Sequence, residues 1–187
     1  GALEQGNQGT KAPGIKTPAD LKALTVDQLP ELAAEMRHAI CEQVSQSGGH
    51  LAPNLGVVEL TIALHYVFDF GHDRLLFDVG HQCYPHKLLT GRFDLLPRLR
   101  QRDGMAGFPE PRESEFDLFS VGHAGTAIST AVGMARGDLI NGLVLPPDGL
   151  DHAETVAPLQ VETGIGHGVG RVCCCSSRSS TRGKTAV

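Results

Sequence analysis

The stretch "RLLFDVGHQCYPHKLLTG", residues 74–91, decides the predicted fold. Its apolar run over 74–80 predicts a short buried strand that ends at a Gly-His step, and residues 84–91 predict a short helix or turn. The same order returns in "FDLFSVGHAGTAISTAVGMA", residues 116–135, with a strand over 116–122 and a small-residue helix after it. Two strand–glycine–helix units predict an α/β fold with a parallel sheet flanked by helices, with ligands at the strand C-terminal ends.

Capping signals predict two helices near the start of the chain. Thr17, Pro18 and Asp20 form an N-cap with proline at the first helical position, which opens a helix over 17–24. Thr25 and Gln28 form a second capping box. The helix after it is predicted from an apolar stripe at spacings of three and four, and it ends at a glycine pair. The stripe consists of Leu29, Leu32, Met36, Ile40 and Val44, and the pair is Gly48–Gly49.

A further helix is predicted over 57–68, where nearly every face is apolar, as in a helix packed deep in a layered core. Asn54 is a plausible N-cap for it. His50 lies in the loop between the two helices.

The net charge of -5, with no basic run outside the extreme C-terminus, excludes the usual electrostatic pattern for nucleic acid or an anionic membrane. We therefore expect a small-molecule or protein partner. No run approaches the ~18 apolar residues of a membrane span, and the polar start has no secretory h-region. These features predict a cytoplasmic protein. The first residue, Gly1, suggests a processed or partial product.

Five cysteines, three of them adjacent at 173–175, are poor material for a disulfide framework and suit a reducing compartment. Cys173–Cys175 also lack a second ligand pair at zinc-finger spacing.

The composition changes abruptly after Gly137. We expect a flexible N-terminus over 1–16, an N-terminal part of a binding domain over 17–137, and a divergent tail over 138–187. The tail lacks regular periodicity and closes in a Cys, Ser and Arg tract, so residues 171–187 are predicted to be disordered. We expect such an ending from a truncation or a frameshift.

His50, His81 and His123 each follow a glycine, and each lies where a regular element gives way to a loop. Glycine lets the backbone approach a ligand closely, and strand-to-helix turns present N–H groups to anions. Imidazole adds a group that exchanges protons near neutral pH. We expect the three rings to converge on one pocket.

A metal site is the alternative for one of these segments. His81, Cys83 and His86 form an H-x-C-x-x-H pattern, to which His65 or His72 could add a ligand.

Four long motifs, in this order and spacing, carry a resemblance to a known family. They are "SGGHLAPNLGVVELTIALHYVFD", "FDVGHQCYPHKLLTGR", "GMAGFPEPRESEFD" and "FSVGHAGTAISTAVGMA". Residues 17–137 thereby resemble the N-terminal region of the 1-deoxy-D-xylulose 5-phosphate synthases, thiamine-diphosphate enzymes of the transketolase group. The match of several motifs in register is far more specific than a lone Gly-His step.

The resemblance implies a transferase that condenses pyruvate with glyceraldehyde 3-phosphate and releases CO2, in isoprenoid, thiamine and pyridoxal synthesis. It implies thiamine diphosphate and Mg²⁺ as cofactors and a homodimer as the assembly. Position by position, His50 resembles the catalytic histidine near the reacting carbon. His81 resembles a cofactor-contacting histidine, and Gly122, His123 and Ala124 occupy the cofactor-binding stretch.

The sequence departs from the family pattern in two places. Ala124-Gly125 stands where the family carries hydroxyl residues. The metal-binding Gly-Asp-Gly with a later Asn is missing, and so is the domain that donates the activating glutamate. We therefore expect no synthase activity from this chain alone. The alternative is a non-catalytic fragment that docks on a full-length synthase.

Overall fold

The computed structural model describes residues 14–71, 73–141, 156–161 and 170–175. Two short 3-10 helices cover Val26–Gln28 and Phe93–Arg98. The α-helices are α1 (Pro18–Lys22), α2 (Leu29–Ser47), α3 (Ala52–Leu55), α4 (Val58–Val67), α5 (Tyr84–Leu89) and α6 (Ala127–Ile140), and the strands are β1 (Arg74–Phe77), β2 (Val156–Val161) and β3 (Gly170–Cys175).

The capping box at the start of α1 is confirmed. The Asp20 backbone N–H and the Thr17 hydroxyl lie 3.4 Å apart, and the Asp20 carboxylate accepts the Thr17 backbone N–H at 2.7 Å. The residues just before this box are packed as well, because Ile15 is buried and Lys16 pairs with Asp94 at 2.8 Å. The predicted flexible N-terminus therefore does not extend to residues 14–16, and residues 1–13 lie outside the described residues.

Helix α2 supplies one side of the core, as its apolar stripe predicted. Leu32, Met36 and Ile40 belong to one buried cluster with side chains of α4, β1 and α5. The helix ends where predicted, because Gly48 adopts a positive φ of 71° that a side chain would oppose.

The predicted helix over 57–68 is confirmed as α4, but the role predicted for Asn54 is wrong. Asn54 lies inside the one-turn helix α3, and α4 begins four residues later at Val58. The Asn54 side chain instead bonds to the backbone carbonyls of His50 and His81 and to the backbone N–H of Tyr84, the first residue of α5.

The described residues do not show the predicted parallel sheet. Their sheet has three strands in the order β1-β3-β2, and both pairings are antiparallel, with Leu75 opposite Cys174. Residues 116–122 form a loop rather than the second predicted strand. Asp117 in that loop is held by a buried ion pair, and Phe119 is exposed, so neither residue is aligned with a neighbouring strand.

The predicted helix over 126–135 is confirmed as α6, which continues to Ile140 and so passes the predicted boundary at Gly137. Disorder was predicted from residue 171, whereas the structure has β3 over Gly170–Cys175. Residues 142–155, 162–169 and 176–187 of the predicted tail lie outside the described residues.

None of the described helices combines the length and the apolarity needed to cross a lipid bilayer.

Candidate functional site

Two of the three glycine-linked histidines meet in the structure. The ring centroids of His50 and His81 lie 5.5 Å apart in an edge-to-face arrangement. Phe108 completes the group, with its ring centroid 5.4 Å from that of His50. The imidazoles come from the loop after α2 and the loop after β1, and both side chains are only partly buried. The site therefore presents two adjacent imidazoles that remain accessible.

Asn54 joins these two loops from beneath. Its side-chain nitrogen donates to the backbone carbonyl of His50 at 2.6 Å and to that of His81 at 2.8 Å. Its side-chain oxygen accepts the backbone N–H of Tyr84 at 2.8 Å. Sequence reasoning missed this role, because the bonds depend on a loop that lies 27 residues away in the chain.

The hydroxyl of Tyr84 supports His50 directly. It accepts the backbone N–H of His50 at 3.2 Å, and it lies 3.3 Å from the His50 Nδ1 atom. The Tyr84 side chain is fully buried, and a Cβ added at Gly49 would stand 3.0 Å from its hydroxyl oxygen. The glycine before His50 thus leaves the room that this hydroxyl occupies.

Both imidazoles favour the neutral form. Burial lowers the pKa of His50, and the nearby His81 and Arg100 lower it further because a second positive charge there is repelled. Burial also lowers the pKa of His81. The His81 Nδ1 atom is buried and has no hydrogen-bond partner among the described residues, so it can accept or donate a further bond.

The turn that carries His81 requires a glycine at residue 80. Gly80 has a φ of 86°, and a Cβ there would stand 2.5 Å from Cδ of Pro109 and 2.6 Å from Cγ2 of Val121. The Gly80–His81 turn therefore packs closely against Val121, the residue that precedes the Gly122–His123 step.

Asp78 ties the two turns together with hydrogen bonds. Its two carboxylate oxygens lie 2.8 and 3.0 Å from the backbone nitrogen of Gly125. The Gly125 N–H is therefore engaged within the chain.

The third histidine is placed differently. Gly122, His123 and Ala124 are exposed at the start of α6, and the His123 carbonyl accepts a bond from the Thr126 hydroxyl at 3.2 Å. The structure does not bring the His123 ring into contact with His50 or His81. Of the three histidine rings, only those of His50 and His81 therefore meet. The cofactor-binding role of residues 122–124 stays a prediction.

The H-x-C-x-x-H pattern does not converge on a metal. His81 faces His50, whereas His86 points the other way, with its Nε2 atom 3.0 Å from an Asp117 oxygen. Burial raises the pKa of the Cys83 thiol to about 12. Among the described residues, no group of three or more His, Cys, Asp or Glu side chains is arranged to hold a metal ion. His72, the other suggested ligand, lies outside them.

A buried ionic network, which the sequence analysis did not predict, lies behind α5. Arg92 makes two bonds to Asp117, at 2.6 and 2.8 Å, and Lys87 contacts Glu113 at 2.6 Å. Burial alone would raise the pKa of Asp117, but hydrogen bonds from His86 and Arg92 hold that pKa well below its ordinary value. The opposite charges in "HKLLTGR" and "PRESEFD" were the available signal, although nothing in them indicated burial.

Two buried histidines extend this network, because His86 contacts both Asp117 and His65. His65 Nε2 lies 2.9 Å from His86 Nδ1, and both side chains are fully buried. Burial lowers the pKa of both histidines, and for His86 this outweighs the opposing bond to Asp117. The network fixes the 104–117 loop, because the backbone N–H groups of Ala106 and Glu110 bond to Glu113 and Asp117.

A separate groove lies between β1 and the start of α6. Its lining is mostly apolar and includes Leu76, Phe116 and Val121, but neither His50 nor His81. The groove is therefore distinct from the histidine pair.

The chain is similar in sequence to one family of known proteins. A sequence profile of the family described as 1-deoxy-D-xylulose-5-phosphate synthase matches residues 13–143. Proteins of that name from Chromobacterium violaceum and Desulforudis audaxviator are 60% and 62% identical over 121 and 122 residues, which are 65% of this chain. The protein of that name from Thiobacillus denitrificans is 60% identical over 122 residues. The chain spans about a fifth of the length of these curated relatives, 20%, 19% and 20% respectively.

Proposed function

Because the chain belongs to the 1-deoxy-D-xylulose-5-phosphate synthase family, we propose that it forms one wall of the pocket in which pyruvate condenses with glyceraldehyde 3-phosphate with loss of CO2. The reaction class is a thiamine-diphosphate-dependent transfer. A cytoplasmic location and a homodimeric assembly belong to the same proposal.

The observation that supports this proposal is the His50–His81 pair. Two partly exposed imidazoles with lowered pKa values stand side by side, on loops that a buried asparagine joins. A neutral imidazole can accept a proton near neutral pH, and the imidazolium that forms can return it. An accessible pair of this kind suits a reaction in which protons move while a carbonyl carbon changes its bonding.

We assign His50 the proton-handling role and His81 the contact with the cofactor. The Tyr84 hydroxyl already accepts the His50 backbone N–H, so its own proton is available to the His50 Nδ1 atom. Neutral His50 then holds its ring proton at Nε2, the nitrogen for which the structure gives no protein partner within its described part. That nitrogen is the one able to donate to a substrate oxygen.

The described residues fit the organic part of the cofactor better than its metal. Thiamine diphosphate, when bound, supplies a carbanion-stabilising thiazolium ring. The unpartnered Nδ1 of His81 and the exposed Gly122–Ala124 turn offer polar groups to such a ligand. The described residues present no metal-ligand cluster for the Mg²⁺ that would bridge the diphosphate.

We therefore propose that the 187-residue chain alone does not turn over substrate. A diphosphate without a cation and oriented donors is costly to desolvate. The chain also covers only about a fifth of the length of its relatives, so most of their structure is contributed by other residues.

The test is an NMR titration of the purified chain with thiamine diphosphate, with Mg²⁺ and again with excess chelator. We expect shifts at His50 and His81 and none at the exposed His38, with little dependence on Mg²⁺, and no product from added pyruvate and glyceraldehyde 3-phosphate. Saturating cofactor that leaves both His50 and His81 unmoved would contradict the proposed pocket. Turnover, or tight Mg²⁺-dependent binding, would contradict the proposed inactivity.

A second candidate function, docking on a full-length synthase, is favoured by the exposed side of α6. Ile128, Val132 and Ile140 are 39%, 53% and 72% exposed, and Phe119 nearby is 42% exposed. Apolar groups gathered in this way favour association with another protein. Co-elution of the chain with a full-length family member, lost in the Val132→Glu variant and kept in a Val26→Glu control, would support docking, and separate elution would reject it.

A further inference from the structure

We infer that Asn54 is a positioning residue, whose side-chain amide sets the spacing and orientation of the His50–His81 pair. The catalytic meaning of that pair rests on the proposed function.

The side-chain hydrogen bonds of Asn54 are all directed to the site. Its amide nitrogen donates to the carbonyl oxygens of residues 50 and 81, at 2.6 and 2.8 Å, so the backbones of both histidines are anchored to one atom. Its oxygen accepts from the backbone of Tyr84, whose hydroxyl bonds His50. Each partner is thus one of the histidines or the tyrosine that supports one of them.

The orientation of the amide follows from the chemistry of its neighbours. Two carbonyl oxygens require an N–H donor, and the Tyr84 N–H requires an acceptor, so the NH2 group must face the histidines. A flipped amide would set oxygen against two carbonyl oxygens. Asn54 has 0% exposure, so water does not compete for these bonds.

No other side chain of the natural set satisfies this arrangement in the same volume. Aspartate matches the shape of asparagine, but in its charged form it has no donor for either carbonyl. Alanine leaves both carbonyls and the Tyr84 N–H without their partner. Either change should release the two loops from each other while α2, α4 and α5 keep their own packing.

The first test uses the wild-type chain. We expect a cross-relaxation signal between the ring protons of His50 and His81, and we expect the Asn54 side-chain amide protons to exchange with solvent at least about tenfold more slowly than those of Asn141, which is exposed. Equal exchange rates for Asn54 and Asn141 would overturn the inference, whatever the variants do.

The second test compares the Asn54→Ala and Asn54→Asp variants with a Thr61→Ala control. Thr61 is buried and bonds only to its own helix, at the carbonyl of residue 57, so its loss should lower stability without touching the site. The buried His65–His86 pair serves as the fold reporter within each molecule.

In both Asn54 variants we expect the His50–His81 signal to be lost while the His65–His86 signal remains. The titration midpoint of His50 should also rise toward its ordinary value, because His81 has moved away. The control should keep both signals and the wild-type midpoint. A folded Asn54 variant that keeps the His50–His81 signal and the His50 midpoint would overturn the inference.

If Asn54→Ala loses both the His50–His81 and the His65–His86 signals, it has unfolded. The isosteric Asn54→Asp variant and the wild-type exchange rates then test the positioning role. These readouts need no cofactor. If these tests give the expected results but thiamine diphosphate shifts neither histidine, the proposed function is wrong and the positioning role of Asn54 is retained.

Discussion

The Asp78 carboxylate holds the backbone N–H of Gly125, with its two oxygens 2.8 and 3.0 Å from that nitrogen. Asp78 follows β1 directly, and Gly125 lies two residues before α6. One buried side chain therefore joins the ends of the two strand–glycine–helix motifs, although the second motif contains no strand in this structure.

Replacing Asp78 should loosen the second turn selectively. We expect Asp78→Ala to lower the free energy of unfolding by about 1–3 kcal/mol and Asp78→Asn by less, because the amide keeps one acceptor. Hydrogen exchange at the Gly125 amide should accelerate in proportion. Chemical denaturation and hydrogen–deuterium exchange measure both, with the exposed Asp27→Ala as control. Unchanged exchange at Gly125 would show that this bond does not hold the turn.

A methyl group at Gly80 should be far more harmful than one at Gly133. The φ of 86° and the contacts with Pro109 and Val121 at 2.5–2.6 Å predict that Gly80→Ala destabilises the chain by about 1–3 kcal/mol or more. Gly133 lies in α6 with nothing within 4 Å of an added Cβ, so Gly133→Ala should stabilise by about 0.5–1 kcal/mol. Thermal unfolding of the two variants should move in opposite directions.

Removing the second imidazole should raise the pKa of His50. Burial lowers that pKa first, and the positive charge available to His81 lowers it further. In His81→Asn the second cause disappears, so the His50 titration followed by NMR should move up toward 6.5. His38→Asn, at an exposed position on α2, is the control that should leave His50 unmoved. A fall in the His50 midpoint would mean that His81 stabilises the charged form.

Arg92 should matter more than any exposed arginine. Arg92→Ala leaves Asp117 buried with part of its charge uncompensated, and we expect a loss of about 3–5 kcal/mol of stability. Arg112 pairs with Glu110 at the surface, where solvent screens the charges, so Arg112→Ala should change the unfolding midpoint little. Equal effects of the two substitutions in urea denaturation would contradict the ranking.

The chain should lose stability in mild acid. The pKa values of His65 and His86 lie below 6.5 in the folded state because both rings are buried. As the pH falls below 6.5 the unfolded chain therefore binds protons that the folded chain does not, and unfolding becomes easier. Asp117 adds to the loss below its unfolded pKa of 3.8, where the unfolded carboxylate is protonated first.

This acid sensitivity is measured by urea denaturation between pH 8 and pH 5. His65→Gln should flatten the dependence, because it removes one of the two buried rings. A free energy of unfolding that rises toward pH 5, or a pH dependence that His65→Gln leaves unchanged, would contradict this role of the buried histidines.

Local features of the fold were predictable from the sequence. The Thr17 cap, the stripe of α2 and its end at Gly48 all depend on residues within a few turns of each other. The sheet was not predictable in this way. A parallel strand needs a neighbouring strand from elsewhere in the chain. The apolar run at 116–122 has no such neighbour in the described structure, and Asp117 within it is held by the ion pair with Arg92.

The candidate site was predictable in part for the same reason. His50 and His81 were identified by their glycine steps and by a family resemblance that the comparisons confirm. Asn54 was interpreted as a helix cap, because its two carbonyl partners belong to loops whose meeting depends on tertiary packing. The sequence does not indicate that Lys87 and Asp117 are buried, since burial of an ion pair leaves no periodic trace.

The antiparallel pairing of β1 with β3 has a consequence for any larger assembly. Arg74, Leu75, Leu76 and Phe77 are matched one to one with residues 175 to 172, so that edge of β1 is already occupied. Another strand can pair along this edge only by displacing β3. A strand of any other chain would therefore compete with β3 for these four backbone positions, and β3 is covalently attached to β1.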